Sequence, residues 1–293
     1  MRLAKDSMTE PFSIEAFTAS VEEDLEDFSD ENPDQLLQTL RNTQRVFHIV
    51  QCWQCWFDAL RDLEIVMAFQ YFALPKSLKM LKWNTSESIR WHVTLPEGLE
   101  CLIFGKAFNH ALDDVALPSS LQRLVFGKRF NQSIAKVALP SGLIQLHFAH
   151  KFNFPMDKVA LPSNLQILTF DGNFDHSIHN VHLPSGLKRL SFHGRFNKPL
   201  HGVFFPKNLV SLDLTSSRYN HTFEHVYLPE GLKELRLGHN FAQSMKNVNL
   251  PKNLEILKFL VNYDIGPYWS FEGVRLPEGC RCSYWTNRVS LRR

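Results

Sequence analysis

Ten prolines, nine of them preceded by leucine, recur at nearly constant spacing: Pro75, Pro96, Pro118, Pro140, Pro162, Pro184, Pro206, Pro229, Pro251 and Pro277. The intervals are 21, then five of 22, then 23, 22 and 26 residues. A fixed period of this length means that each copy is one supersecondary unit unable to bury its own apolar face. Stacking of neighbours must then supply the core, and the chain is a β-rich solenoid of about ten 22-residue coils. The copy "LPSSLQRLVFGKRFNQSIAKVA" at 117–138 gives the template L-P-x-x-L-x-x-L-x-F-G-x-x-F-N-x-x-I-x-x-V-x.

Within each copy the end of L-x-x-L-x-F alternates as a strand does. Leu124 and Phe126 therefore point inward while Arg123 and Val125 point outward. One short strand per coil builds a parallel sheet with a spacing of about 4.8 Å. The inward positions read down the stack as Phe104, Phe126, Phe148, Phe170, Phe192, Leu214, Leu237 and Phe259. A second row is Phe108, Phe130, Phe152, Phe174, Phe196, Tyr219, Phe241 and Tyr263. Most of the 24 phenylalanines are accounted for as core, with no ligand pocket needed.

The position after the second aromatic holds Asn109, Asn131, Asn153, Asp175, Asn197, Asn220 and Asp264, with Ala242 as the exception. A short polar side chain at one place in every coil suits a turn, where it can bond backbone groups. Proline fixes φ and forces the residue before it to be extended, which punctuates each coil. The pattern L-P-x-x-L-x-x-L-x-F-G-x-x-F-N resembles the FNIP repeat family, related to leucine-rich repeats, over roughly residues 74–275. The resemblance implies a curved, leucine-rich-repeat-like parallel sheet and a role in protein interaction, often alongside modules such as F-box segments. It implies no enzyme activity and no cofactor. The copies depart from the template at 84–94, at 214–220, where one residue is inserted before Tyr219, and from Tyr263 onward.

An open stack needs covered ends. Residues 1–59 form an acidic segment and, through "PDQLLQTLRNTQRVFHIVQCWQCWFDAL", a helical cap with Leu36, Leu37, Leu40, Phe47, Val50 and Trp53 at helical spacing. Residues 60–293 are the solenoid. "LRDLEIV" supplies a degenerate first coil through Leu60, Leu63 and Ile65, and "CRCSYWTNRVSLRR" drops the pattern as a terminal strand or cap. The segment "LLQTLRNTQRVFHIVQCWQCW" is faintly similar to the later part of an F-box without the leading Leu-Pro portion, which leaves a substrate-recruiting adaptor for ubiquitination as an alternative.

Charge is divided along the chain. Residues 1–70 carry 5 Lys/Arg against 14 Asp/Glu, net −9, and residues 71–293 carry 27 against 16, net +11. No signal-like h-region opens the sequence, no run of eighteen apolar residues occurs, and the five cysteines are unevenly spaced, so the expected setting is a reducing, cytoplasmic one without a membrane span.

Apparent chemical motifs yield to the repeat. The Gly-Lys pairs at 105–106 and 127–128 lack the remaining glycine and Ser/Thr of a phosphate-binding loop. "CWQC" at 52–55 sits beside tryptophans in a helical pattern, and Cys280 and Cys282 have the wrong spacing for a zinc site. "HTFEH" at 221–225 has the H-x-x-E-H order of some zinc peptidases, but Phe223 occupies an apolar slot and no helix is expected there. In "HSIHNVH" at 176–182, His176, His179 and His182 fall outward without convergence, which favours solvent over pH-sensitive binding. No nucleophile arrangement appears, so catalytic, cofactor and metal roles are all assigned to no residue.

Binding is left to the outward positions. Arg123, Val125, Gln145, His147, Ile167, Arg189, Asp213 and Arg236 form the variable strand face, and Lys106, Lys128, Arg129, Lys151 and Arg195 form a basic rim beyond it. Ile103, Val125, Ile167 and Ile256 suit a face that another protein covers better than one left in water. The rim points to an acidic partner, either a protein segment or the chain's own residues 1–31 acting as a strap. Nucleic acid is the weaker alternative, since no recognition motif and few outward aromatics accompany the cations.

Overall fold

In the computed structural model, which describes residues 62–65, 74, 76–83, 94–260, 275–285 and 290–292, each copy of the repeat contributes one short strand. The strands are β1 Asp62–Ile65, β2 Met80–Trp83, β3 Cys101–Phe104, β4 Arg123–Val125, β5 Gln145–Phe148, β6 Ile167–Phe170, β7 Arg189–Phe192, β8 Ser211–Leu214, β9 Glu234–Leu237, β10 Ile256–Leu260, β11 Arg281–Trp285 and β12 Ser290–Arg292. Their order in the sheet is their order in the chain. Pairing is parallel from β1 to β11, and β12 turns back antiparallel on β11. This is a leucine-rich-repeat-type solenoid, with the repeats inside the unit Phe57–Arg293.

Register keeps like residues in line. Leu124 is level with Leu102 and Leu146, and Leu168 with Leu190. The degenerate first coil also obeys it, since Leu63 pairs with Leu81 and Ile65 with Trp83. At the other end the pattern persists further than the sequence suggests: Cys282 takes the place level with Leu257, and Tyr284 that level with Phe259. Prediction of a terminal strand there holds, and the pattern ends after β11 rather than before it.

Strand alternation divides each coil into a core side and an outward side. In Gln145–Phe148 and in Ile167–Phe170 the second and fourth residues are buried and the first and third only partly so. A typical coil delivers Leu121, Leu124, Phe126, Phe130, Ile134 and Val137 to one continuous core. Rings stack both within and between coils. Phe126 and Phe130 lie 4.0 Å apart between centroids, and the column Phe104, Phe126, Phe148, Phe170 and Phe192 repeats at 5.5, 5.1, 5.3 and 5.4 Å. Such pairs add about 0.5–1.5 kcal/mol each beyond the area they bury.

Three turns close each coil. The Leu121 N–H donates to the Pro118 carbonyl at 3.1 Å, Phe130 to Gly127 at 3.2 Å and Val137 to Ile134 at 3.1 Å, and neighbouring coils repeat the scheme. The return path is therefore turns and extended chain, and among the described residues no helix occurs. The helical cap assigned to residues 1–59 lies outside the described residues, as do residues 84–93 of the departure at 84–94 and residues 263–274 of the one that begins at Tyr263.

The asparagine row is a ladder between coils. Each side-chain oxygen accepts the backbone N–H of the equivalent residue one coil on: Asn131 to Asn109 at 2.7 Å, Asn153 to Asn131 at 3.0 Å, Asp175 to Asn153 at 3.0 Å, Asn197 to Asp175 at 2.9 Å and Asn220 to Asn197 at 3.0 Å. Ala242 receives the last described bond, its N–H meeting Asn220 Oδ1 at 2.8 Å, and has no oxygen with which to pass the series on. The row needs only an acceptor, which explains why Asp serves at 175. Asn131→Ala should cost about 1 kcal/mol by denaturant melt, whereas Asn131→Asp should stay within about 0.5 kcal/mol of the parent. Equal losses in both would mean that the acceptor oxygen is not what the position requires.

The residue inserted before Tyr219 is absorbed by a turn. Ser217 is buried, and its hydroxyl donates to the Leu214 carbonyl at 2.7 Å and accepts the Tyr219 N–H at 3.3 Å. Tyr219 itself keeps the aromatic column in step, 6.3 Å from Phe196 and 6.4 Å from Phe241. Its hydroxyl is buried beside the Leu200 backbone without a partner of ordinary hydrogen-bond geometry, and burial pushes the phenol's pKa up. Tyr219→Phe should therefore raise the stability by about 1 kcal/mol, read as a higher denaturation midpoint at unchanged slope. A lowered midpoint would show that the hydroxyl is bonded in the core.

Candidate protein-interaction surface

The outward face is built from three parallel rows, because residues two apart on a strand share a side. One row contains Arg123, Gln145, Ile167, Arg189, Ser211 and Glu234, and the next contains Val125, His147, Thr169, Ser191, Asp213 and Arg236. The third follows the core aromatic or leucine: Gly127, Ala149, Asp171, His193, Thr215 and Gly238. In the coils whose turn carries a glycine, its occupancy follows where that glycine stands. At Gly127 a Cβ would come within 1.8 Å of the Gly105 carbonyl oxygen, so the slot must stay bare. In the coils of β6 and β7 the glycine stands one residue later, as Gly172 and Gly194, both at φ +71°. A left-handed backbone there costs glycine nothing, and the preceding slot becomes free for Asp171 and His193.

Those two residues begin a series of acid–base contacts that runs across six strands. Asp171 Oδ2 bonds His147 Nε2 at 3.0 Å, and Asp171 Oδ1 bonds His193 Nδ1. Further along, Arg236 meets Asp213 at 3.4 Å and Glu234 at 2.7 Å, and Lys258 lies 3.8 Å from Glu234. Partial burial opposes ionisation of Asp171, but the hydrogen bonds from His147 and His193 outweigh it and hold the carboxyl well below the usual carboxylate range. The same bond to Asp171 lifts the His193 pKa above its ordinary value against the desolvation that would lower it.

The other candidate residues are not drawn into this series. Arg123 and Arg189 are exposed on the face, and Val125, Gln145 and Ile167 are half-buried between them. On the rim, Lys106, Lys128, Arg129, Lys151 and Arg195 are exposed, and among the described residues none of them has an ion-pair partner. The rim is not one unbroken stripe: it uses two adjacent turn positions, and Gly172 and Asn173 interrupt it between Lys151 and Arg195. Its backbone is pinned, with the Arg129 N–H donating to Lys106 at 3.0 Å and Lys151 to Lys128 at 2.9 Å. The Gly-Lys pairs are thus turn positions presenting cations.

The remaining motifs sit as follows. His179 and His182 are exposed, whereas His176 is half-buried with Nε2 3.1 Å from the Asn153 carbonyl. In "HTFEH" Phe223 is buried, His221 bonds the Asn197 carbonyl at 3.0 Å and His225 adopts φ 65° in a turn. Among the described residues no group of three or more His, Cys, Asp or Glu side chains is placed to hold a metal ion. Burial pushes the Cys282 thiol up to about 11 and raises Cys280 as well, which leaves both mostly protonated at neutral pH. Phe204 and Tyr227, 85% and 83% exposed in adjacent coils, are exceptions to the assignment of aromatics to the core.

With this geometry in place, comparison with known proteins is direct. The FNIP repeat matches residues 89–129, 108–151, 130–173, 152–193, 174–217 and 219–260, together more than half of the chain. The chain belongs to the FNIP repeat family. Its FNIP coils are also similar to the crystal structure described as CroV588, a novel circular LRR protein, at 28% identity and a TM-score of 0.50, covering 78% of this chain and 40% of that one. YopM from Yersinia enterocolitica WA-314 is similar at 18% identity and a TM-score of 0.38, covering 78% of this chain and 62% of that one. The FNIP chain thus spans less than two thirds of the length of either structure. No curated protein matches the sequence.

Asp171 and His193 were missed as candidates, although the shift of glycine from 127 to 172 and 194 was a signal that the slot before it had opened. Their pairing predicts a pH signature. The contribution from His193, whose folded pKa is raised, is complete below the ordinary imidazole value and is lost as pH rises through the folded one. That from Asp171, whose folded pKa is depressed, is complete above the ordinary carboxylate value and is lost as pH falls through the folded one. The stability difference between the parent and Asp171→Asn should be largest between about pH 4 and about pH 6.5, on the order of 1 kcal/mol, and should shrink on both sides. A difference that is flat from pH 4 to 9 in thermal melts would remove the ionic pairing.

Proposed function

We propose that this FNIP solenoid is a non-catalytic protein-interaction scaffold that holds an acidic segment of a partner protein against the outward sheet face and its basic rim. One observation carries the reading: the acids of that face, Asp171, Asp213 and Glu234, are each joined to a base, while the cations Arg123, Arg189, Lys106, Lys128, Arg129, Lys151 and Arg195 have no ion-pair partner among the described residues. Free positive charge is thereby concentrated on the strands and turns of the β3–β7 region. Half-buried Ile103, Val125 and Ile167 lie among these cations and supply apolar contact. The spacing of adjacent coils, about 5 Å, places cations closely enough to engage successive carboxylates of an extended chain.

Such a surface steers association and fixes partner choice, with exposed cations acting chiefly on the association rate. Affinity capture from full-length protein, followed by mass spectrometry at two salt concentrations with and without nuclease, tests the reading. A specific protein should be retained by the parent and lost at least about tenfold in Lys128→Glu/Arg129→Glu/Lys151→Glu, with both proteins melting alike. Its contact region should be rich in Asp and Glu. Retention that vanishes with nuclease and falls steeply with salt would instead assign the cations to nucleic acid and overturn the proposal.

A further inference from the structure

The His147–Asp171–His193 cluster has a property that the fixed charges around it lack. With both imidazoles neutral its net charge is −1, and with both protonated it is +1. The sign of this patch therefore reverses, and it does so in the middle of the outward face. Asp171 reaches back across one coil to His147 and forward across one coil to His193, so the patch spans β5, β6 and β7. All three side chains remain 30–35% exposed, open to solvent protons and to a bound chain.

The surrounding charges are unequal. β4 presents Arg123 and β7 presents Arg189, while β5 and β6 add Gln145, Ile167 and Thr169 without charge. β8 presents Asp213, which is already engaged by Arg236. The turns beyond the strands bring Lys128, Arg129, His150, Lys151 and Arg195. Asp171 is thus the uncompensated negative point within a positive field whenever its histidines are neutral.

We propose that this cluster is the proton-sensing part of the binding face, making it hold an acidic protein segment more tightly as pH falls through the imidazole range. The proposal rests on the interaction reading above. Asp171 stays ionised throughout that range because its pKa is held low, and the raised pKa of His193 starts the change nearer neutrality. No conformational change is required. Proton uptake alone converts a repulsive point into an attractive one, and by linkage a bound acidic segment draws protons onto the two rings.

The test uses full-length protein and a rhodamine-labelled peptide of alternating aspartate and serine, whose carboxylates stay ionised at pH 5.5. Its affinity is measured by fluorescence anisotropy at pH 5.5 and 8.0 and fixed ionic strength. The parent should bind about tenfold more tightly at the lower pH, and His147→Gln/His193→Gln should retain a change of about twofold or less, left by the remaining histidines. An undiminished pH effect in that variant would overturn the proposal while leaving the interaction reading intact. Lys128→Glu/Arg129→Glu/Lys151→Glu should weaken binding at both pH values; if it binds like the parent, or if the parent binds no peptide at either pH, the interaction reading fails and the proposal with it. NMR titration gives a readout independent of any peptide. The His193 ring should titrate above its ordinary value in the parent and return toward it in Asp171→Asn, and an ordinary titration in the parent would also overturn the proposal.

Discussion

The separation between adjacent strands is the constraint on which the rest of this molecule depends. Backbone hydrogen bonding sets it near 4.8 Å, and every side chain in a repeat position must then tolerate a copy of itself at about that distance. Phenylalanine does so by stacking, as the 5.1–5.5 Å centroid spacing of the first column shows. Asparagine does so because it can accept from the coil after it. Glycine at 127 does so by having nothing to clash with the Gly105 carbonyl. Each residue type in the template is a different answer to the same spacing.

Charge has no such neutral answer, since like charges stacked at this distance repel and opposite charges attract. Two solutions coexist on the outward face. From β5 to β10 acids and bases alternate between coils, through His147, Asp171, His193, Asp213, Arg236 and Lys258, with Glu234 beside Arg236, and the contacts join acid to base. Around β3 to β5 the rim keeps cations together and turns them toward solvent at exposed positions. The first solution satisfies the solenoid internally. The second leaves these cations without an ion-pair partner among the described residues, and the proposed interaction is built on that half.

This difference also marks what could be read from the sequence. Strand positions, inward rows and the ladder were legible because they depend on period alone: knowing Leu124, Phe126 and Asn131 gives Leu146, Phe148 and Asn153. The outward residues were legible as a set, but their partnerships were not. His147 bonds not to an equivalent residue but diagonally to Asp171, and that contact depends on a glycine displaced by one position in the next coil. Arg236 likewise is placed on the variable strand face by the sequence, without a partner being legible, and is engaged by Asp213 and Glu234 in space. At the C-terminal end, a one-residue shortening between Cys280 and Cys282 hid a coil whose strand nevertheless holds register with β10.

A repeat protein can specialise only where its packing is indifferent to side-chain identity. The core slots here accept Leu for Phe at 214 and 237 and Tyr for Phe at 219, but they never change polarity by more than a buried hydroxyl. The third outward row shows a different freedom. Moving one turn glycine from the slot of Gly127 to those of Gly172 and Gly194 leaves the strand register unchanged, yet it converts a bare backbone edge into the position of a carboxylate and an imidazole. Chemistry can therefore be added to single coils without disturbing the stack. The cost of adding it is small because the new side chains enter a partly solvated face, and their mutual bond offsets what desolvation remains.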